Sequence, residues 1–417
     1  MATARNYLVV TAAYWGFTLT DGALRMLVLL HFYSLGYTPF QLAFLFLLYE
    51  LAGVFANVGG GWLAARFGIK RMLGVGQLLQ IGGLLLLSAL QPDWSPIFSV
   101  AWVVIAQGVA GVAKDVTKTA SKSAIKATSD GGAGQLYRWV AWFTGSKNAM
   151  KGVGFFVGGL LLQTIGFRPS LWLMAAVLAV IFLSVAVALP PLFGRAKASR
   201  SMRELFAKNR AINLLAVARI FMFGARDVWF VVGLPVFLYA HGWHYMEVAG
   251  FVAAWTIGYG GIQAVAPMLT TRSQDGLSRE IPAARVWGLV MALLPALLAV
   301  ALVSHVPVRP DLLLVVGLAL FGIPFAVNSS LHSYLILAYA GSEKAAEDVG
   351  FYYAANATGR LMGILLSGTL YQVAGILGCL VGSATMVGIC FLFTLLLPPH
   401  AVRPSVLAAG DAARRPA

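Results

Sequence analysis

The sequence predicts an all-α membrane protein, with twelve transmembrane helices arranged in two six-helix bundles. Three observations carry that expectation. The 417 residues are 59% hydrophobic and only 11% charged, with a mean hydropathy of +0.81, whereas soluble domains hold about 25% charged residues. Phe17, Asp21, Gly36 and Tyr37 recur as Phe223, Asp227, Gly242 and Trp243, each displaced by the same 206 positions, so half of the chain is repeated. Lys and Arg residues crowd into alternate loops, as the orientation of a multi-pass chain requires.

A helix crosses the hydrocarbon core in about 20 apolar residues. The first apolar run, 7–35, is too long for the core of a cleavable signal peptide and reads as a transmembrane helix. Gly36 separates it from a second at 38–64. Spans at 72–90 and 97–118 flank Gln91, and spans at 138–164 and 170–190 flank Gly166. The longest basic loop, Pro190 to Arg210, then divides the chain. Beyond it come 211–239, 245–266, 285–304, 312–338, 349–373 and 376–397. Pro235, Pro295 and Pro324 fall inside spans, as in helices that bend. The predicted organisation is an N-terminal bundle (1–192), a basic cytoplasmic linker (193–210), a C-terminal bundle (211–398) and a short tail (399–417).

With a cytoplasmic N-terminus, 21 of the 30 Lys and Arg residues lie in cytoplasmic loops and only Arg168 and Arg309 lie outside. Both termini are then cytoplasmic, and the net charge of +15 reports orientation in a bilayer. It does not report nucleic-acid binding, since no basic block is interleaved with aromatics in a soluble module. A Cys placed at Ser199 should therefore resist an impermeant thiol reagent in intact cells, and ready labelling there would invert the topology.

The seven remaining bases sit inside spans: Arg25, Lys114, Lys147, Lys151, Arg219, Arg226 and Arg360. An unpaired charge in hydrocarbon costs roughly 2.5–3.5 kcal/mol on insertion scales. Spans three, six, nine and twelve carry no charge in their apolar interiors, so they read as scaffold around a polar cavity made by the others. Counted inward from the cytoplasmic ends, Arg25, Lys151, Arg226 and Arg360 come near the midplane. Lys147 and Arg219 lie about a turn nearer the cytoplasm, and Lys114 with Lys118 marks the cytoplasmic mouth. Asp21, Glu50, Asp115 and Asp227 are the counter-charges or coupling groups, and Asp21 and Arg25, four apart on one face, can screen each other. Seven bases against four acids leave at least three positive charges, for which a polyanionic small molecule is the simplest partner. Arg forks suit phosphate-like oxygens, and Lys acts as a mobile point charge. Asn148, Asn328 and His332 add polar groups, while Tyr and Trp read mostly as interfacial belt or wall. Cys379 and Cys390, alone and eleven apart in one apolar span, form neither a disulfide framework nor a thiolate metal site. No metal or other cofactor is expected.

Gly61-Trp-Leu-Ala-Ala-Arg66-Phe-Gly68-Ile-Lys70-Arg71 resembles the gating loop after the second helix of the major facilitator superfamily, with Ala65 in place of its usual Asp. Gln107-Gly108 resembles the fourth-helix motif, with Val104 replacing its Arg. Gly154-Phe-Phe-Val-Gly158-Gly159 resembles the fifth-helix antiporter motif, with Phe155 where Pro is common. More closely, NYLVVTAAYWGFTLTDGALRMLVLLHF, GVAKDVTKTASKSAIK, LYRWVAWFTGSKNAMKGVGFF and FGARDVWFVVGLPVFLY resemble the organoarsenical efflux permeases of bacterial arsenic-resistance operons. The superfamily resemblance implies a pseudo-twofold along the membrane normal and alternating access to a midplane site. The permease resemblance implies export of 1-arseno-3-phosphoglycerate across the bacterial inner membrane. It also implies a functional link to the glyceraldehyde-3-phosphate dehydrogenase that makes this ester.

The principal alternative is a facilitator-type exporter of another organic or phosphate-like anion, which the same bases would serve. A cationic drug exporter would need an acidic or aromatic cavity. An enzyme would need a nucleophile or metal cluster near the midplane, and the six histidines are dispersed. A two-half repeat suits rocking bundles better than a channel.

Overall fold

In the computed structural model, residues 2–56, 68–127, 133–190, 210–269, 277–304, 306–339 and 345–398 are described, and apart from short turns they are helical. Twelve helices follow in order: α1 Ala2–Ser34; α2 Pro39–Ala56, interrupted at Phe46; α3 Ile69–Ser88; α4 Pro96–Ala127; α5 Ala133–Ile165; α6 Phe167–Ala188. Then come α7 Arg210–Ala240, broken after Phe230; α8 Tyr245–Leu269; α9 Glu280–Val303; and α10 Pro310–Tyr339. A kink at Ala374 and Gly375 separates α11 (345–373) from α12 (376–395). Helices α4, α5, α9 and α11 extend several residues past the apolar spans at the N-terminal face. Hydropathy marks the part of a helix that lies in lipid, whereas polar helix formers continue it into water.

Nine stretches among the described residues are long and apolar enough to cross a membrane, one of them holding both α11 and α12. The two long helices outside that set, α1 and α5, carry Asp21, Arg25, Lys147 and Lys151. Apolarity is lowest where the charged side chains cluster.

The repeat is visible in the turns. Gly36 and Gly242 both have φ near +90°, a region open to glycine and strained for other residues. In each, the following residue donates back to the helix, Tyr37 N to Phe32 O and Trp243 N to Leu238 O, both 3.1 Å. These are equivalent C-caps 206 residues apart. A second register of 209 relates Lys151 to Arg360, Gly154 to Gly363 and Gly166 to Gly375. Gly154 lies against the Leu19 backbone of α1, and Gly363 against the Gly224 backbone of α7. A Cβ at either would strike the facing carbonyl, so only glycine lets α5 close on α1 and α11 on α7. That close approach brings Lys151 and Arg360 beside the charged turns of α1 and α7.

α5 packs on α8 and α2 on α11, so the two halves meet through symmetry-related helix pairs. Pro235 lacks an N–H and its ring crowds the Val231 carbonyl, which breaks α7. The amides freed at Val232 and Gly233 donate to Ser367 Oγ of α11, at 3.3 and 3.0 Å. Lys70, expected in a gating loop, donates from Nζ to Ala186 O and Leu189 O at 2.7 and 2.6 Å and so caps the end of α6. Gly68 is the positive-φ residue before α3, and Arg71 is exposed on its first turn. Gly61, Ala65 and Arg66 lie outside the described residues.

Candidate functional site

A cavity of about 560 Å³ lies between the halves. Its lining comes from α1, α2, α4, α5, α7, α8, α10 and α11, with Glu280 from the start of α9; α3, α6 and α12 contribute nothing. The lining runs from the face where α1 begins to just past the middle of the helices, with Arg25, Phe155, Phe230 and Trp255 at its deep end. At the other end the halves touch. Tyr33 and Tyr239 rings meet edge-on at 5.5 Å, Met246 N donates to Gln163 Oε1 at 3.3 Å, and Gly368 abuts the Pro39 carbonyl. The structure is therefore closed toward the face opposite the N-terminus.

Arg25, Lys114, Lys118, Lys147, Lys151, Arg219, Arg226 and Arg360 all line this cavity, together with Asp21, Glu50, Asp115 and Glu280. Glu50, 1% exposed, is the hub. Its Oε1 takes Arg25 at 2.5 Å and Arg360 at 2.6 Å, and its Oε2 lies 3.9 Å from Lys114 Nζ. Arg360 also donates from Nε to Asp227 Oδ2 at 3.3 Å, and Arg226 holds Asp227 Oδ1 at 2.5 Å. One guanidinium thus ties an acid of the first half to an acid of the second. Asp115 takes Lys114 and Lys118 at 3.6 and 3.4 Å, and Lys114 Nζ sits 3.8 Å over the Tyr49 ring. Such pairing reduces the desolvation penalty that isolated charges would carry. With Asp227 counted behind the wall, eight bases face five acids, an excess of three positive charges among the described residues.

Two bases stand apart. Among the described residues, no carboxylate lies within 4.0 Å of Lys151 or of Arg219. Lys151 Nζ instead lies 5.6 Å from the Phe155 ring. The expected screening of Arg25 by Asp21 is not the pairing observed, because buried Glu50 draws Arg25 across to α2. Asp21 accepts from Tyr49 OH at 2.5 Å, and among the described residues no base lies within 4.0 Å of it.

Asn328 and His332, expected in the binding site, do not line the cavity. Both are fully buried. They sit four apart on a face of α10 turned into the C-terminal half, where Asn328 lies near Gly288 of α9. The cavity receives Val327, Ser330, Leu331, Ser333 and Tyr334 of α10 instead. Asn148 does line it and donates to Gln263 Oε1 of α8 at 3.3 Å. Tyr49, Tyr259 and Gln263 escaped the sequence reading: the tyrosines resembled belt residues, and a lone Gln in an apolar run carries no pattern. Glu280 escaped it because it lies before the apolar run that marks its helix.

A membrane-embedded bundle of two related halves, with a charged cavity between them, defines a transporter architecture. Residues 7–308 match the family model of the Major Facilitator Superfamily, and the chain belongs to that superfamily. Among solved structures it is similar to a D-xylose-proton symporter, with a TM-score of 0.72 and 11% identity over 96% of this chain and 98% of that one. It is also similar to a mutant of the nucleoside transporter NupG, with a TM-score of 0.69 and 14% identity over 95% and 99% of the two chains. Identities this low establish the fold alone. No curated protein matches the sequence.

Proposed function

We propose that the chain exports a small polyanion from the bacterial cytoplasm by alternating access, with 1-arseno-3-phosphoglycerate as its substrate and arsenate resistance as the outcome. The observation that carries the anion reading is the excess of cavity bases, above all Lys151 and Arg219, which have no carboxylate within 4.0 Å among the described residues. The choice of arseno-ester rests on the motif resemblance, and it suits the charge: the molecule bears a carboxylate, a phosphate and an arsenate ester. A glyceraldehyde-3-phosphate dehydrogenase accepting arsenate would supply it.

In this reading the inner membrane holds the bundles 1–192 and 211–398 as rocking units, with both termini cytoplasmic. The cavity on the N-terminal face is then the cytoplasmic entrance. Arg25, Lys147, Lys151, Arg226 and Arg360 receive the anion, with Lys114 and Lys118 drawing it in. Ligand oxygens compete with Glu50 for Arg25 and Arg360, which weakens the one tie from Arg360 to both halves and frees them to rock. Everted vesicles holding only this protein should accumulate the arseno-ester more strongly than 3-phosphoglycerate or inorganic phosphate. Equal uptake of 3-phosphoglycerate would favour a general organic-anion exporter, and uptake of none would overturn the anion reading.

A further inference from the structure

Arg219 was expected about a turn nearer the cytoplasm than the midplane bases, toward the mouth, as one base among several. Its surroundings assign it a more definite task. The side chain is 4% exposed, with its guanidinium carbon 4.1 Å from the Phe223 ring centre and 4.8 Å from that of Tyr352. These two aromatic contacts fix the position of the guanidinium. Nη1 donates to Ser329 O and Ser329 Oγ, both at 3.1 Å. Nε is sealed from solvent with no acceptor, and no hydrogen bond engages Nη2 among the described residues. The Nε–Nη2 edge, the one that grips two oxygens at once, is therefore unused in a residue that lines the cavity.

Other donors gather beside it. Tyr259 OH and Gln263 Nε2 approach Ser329 Oγ at 3.3 and 3.5 Å, and Asn148 of the other half holds Gln263 by its Oε1. Ser329 is sealed behind the wall, but Tyr259, Gln263 and Asn148 face the cavity. A guanidinium serving only to tie α7 to α10 would need Nη1 alone. We infer that Arg219, with Tyr259 and Gln263, forms an oxyanion subsite on the C-terminal half, which takes a tetrahedral phosphate-like head while Lys151 on the N-terminal half takes the carboxylate end. The inference rests on the polyanion reading above and deepens it: the substrate has two anionic heads, one for each half. A carboxylate offers only two oxygens and is satisfied by one fork, whereas a phosphate-like group has a third oxygen for the phenol or the amide. A ligand joining the two subsites would draw the halves together around it.

The test uses purified full-length protein in lipid nanodiscs, with binding of 3-phosphoglycerate and of glycerate measured by calorimetry. Arg219→Lys keeps a charge and loses the fork. It should weaken 3-phosphoglycerate by about tenfold or more and leave glycerate within about twofold. Lys151→Met should weaken both anions, because both carry the carboxylate. Tyr259→Phe, which removes one hydroxyl, should reproduce the Arg219→Lys selectivity more weakly and covers the case in which the first variant misfolds. Equal losses of both anions in Arg219→Lys, or no loss of 3-phosphoglycerate in either Arg219→Lys or Tyr259→Phe, would overturn the subsite. Binding of neither anion by the wild type would instead overturn the polyanion reading, and the subsite with it.

Discussion

Lys151→Met is expected to reduce export by about a hundredfold or more while leaving the protein folded, with a melting temperature in detergent equal to or above that of the wild type. The expectation follows from what surrounds the side chain. Lys151 lies on α5, where the glycine-mediated approach to α1 brings it beside Asp21 and Arg25. It lines the same cavity as Arg25, Lys114 and Arg360, and among the described residues no carboxylate sits within 4.0 Å of it. Among the described residues its removal breaks no ion pair shorter than 4.0 Å, and it relieves repulsion from Arg25, Lys114 and Arg360. An incoming anion loses the base least committed elsewhere.

Arg360→Met gives the contrasting result. That guanidinium joins Glu50 to Asp227, and deleting one partner of a buried ion pair destabilises by about 3–5 kcal/mol because the abandoned charge stays buried. Export and melting temperature should fall together in this variant. Vesicle transport and thermal unfolding, measured side by side, separate the two roles. Near wild-type export by Lys151→Met would remove it from the site, and an unchanged melting temperature in Arg360→Met would remove the bridge from the architecture.

These two residues also show what a sequence can and cannot reveal. Twelve spans and the two-half repeat were legible because hydropathy is a local property, and because Gly36 and Gly242 must sit where only glycine turns a chain. The membership of the cavity was largely legible too. A charge inside an apolar span has few places to go, so Arg25, Lys147, Lys151, Arg226 and Arg360 could be assigned to one cavity from the charge-free spans and from depth together. Pairing was not legible. Asp21 and Arg25 share a helix face, yet Glu50, 25 positions from Arg25, takes the guanidinium because a sealed carboxylate attracts every base within reach. Helix rotation was likewise hidden. Asn328 and His332 differ from Ser330 and Ser333 only by position around α10, and no periodic signal in an almost uniformly apolar helix says which face meets the cavity. The donors around Arg219 belong to α8 and α10 and converge only in the folded bundle.

Export should follow the membrane potential without a proton gradient. Moving a net anionic charge outward from a negative interior is downhill by about 2.3 kcal/mol per charge per 100 mV. A substrate leaving with two charges therefore gains about 4.6 kcal/mol, more than a thousandfold in concentration. No second ion is needed for that. The cavity acids fit the same conclusion: Glu50 is held by Arg25, Arg360 and Lys114, Asp227 by Arg226 and Arg360, and Asp115 by Lys114 and Lys118. On the uniport reading these three acids are counter-charges to the cavity bases and carry no proton. Asp21 is different, since it has a tyrosine hydroxyl and, among the described residues, no base within 4.0 Å, which makes it the acid to examine for proton exchange. In everted vesicles at zero pH gradient, wild-type protein and Asp21→Asn should both accumulate anion in proportion to an imposed potential. Uptake that required a proton gradient in the wild type, and that lost this requirement in Asp21→Asn, would identify Asp21 as a proton carrier and replace potential-driven uniport with exchange.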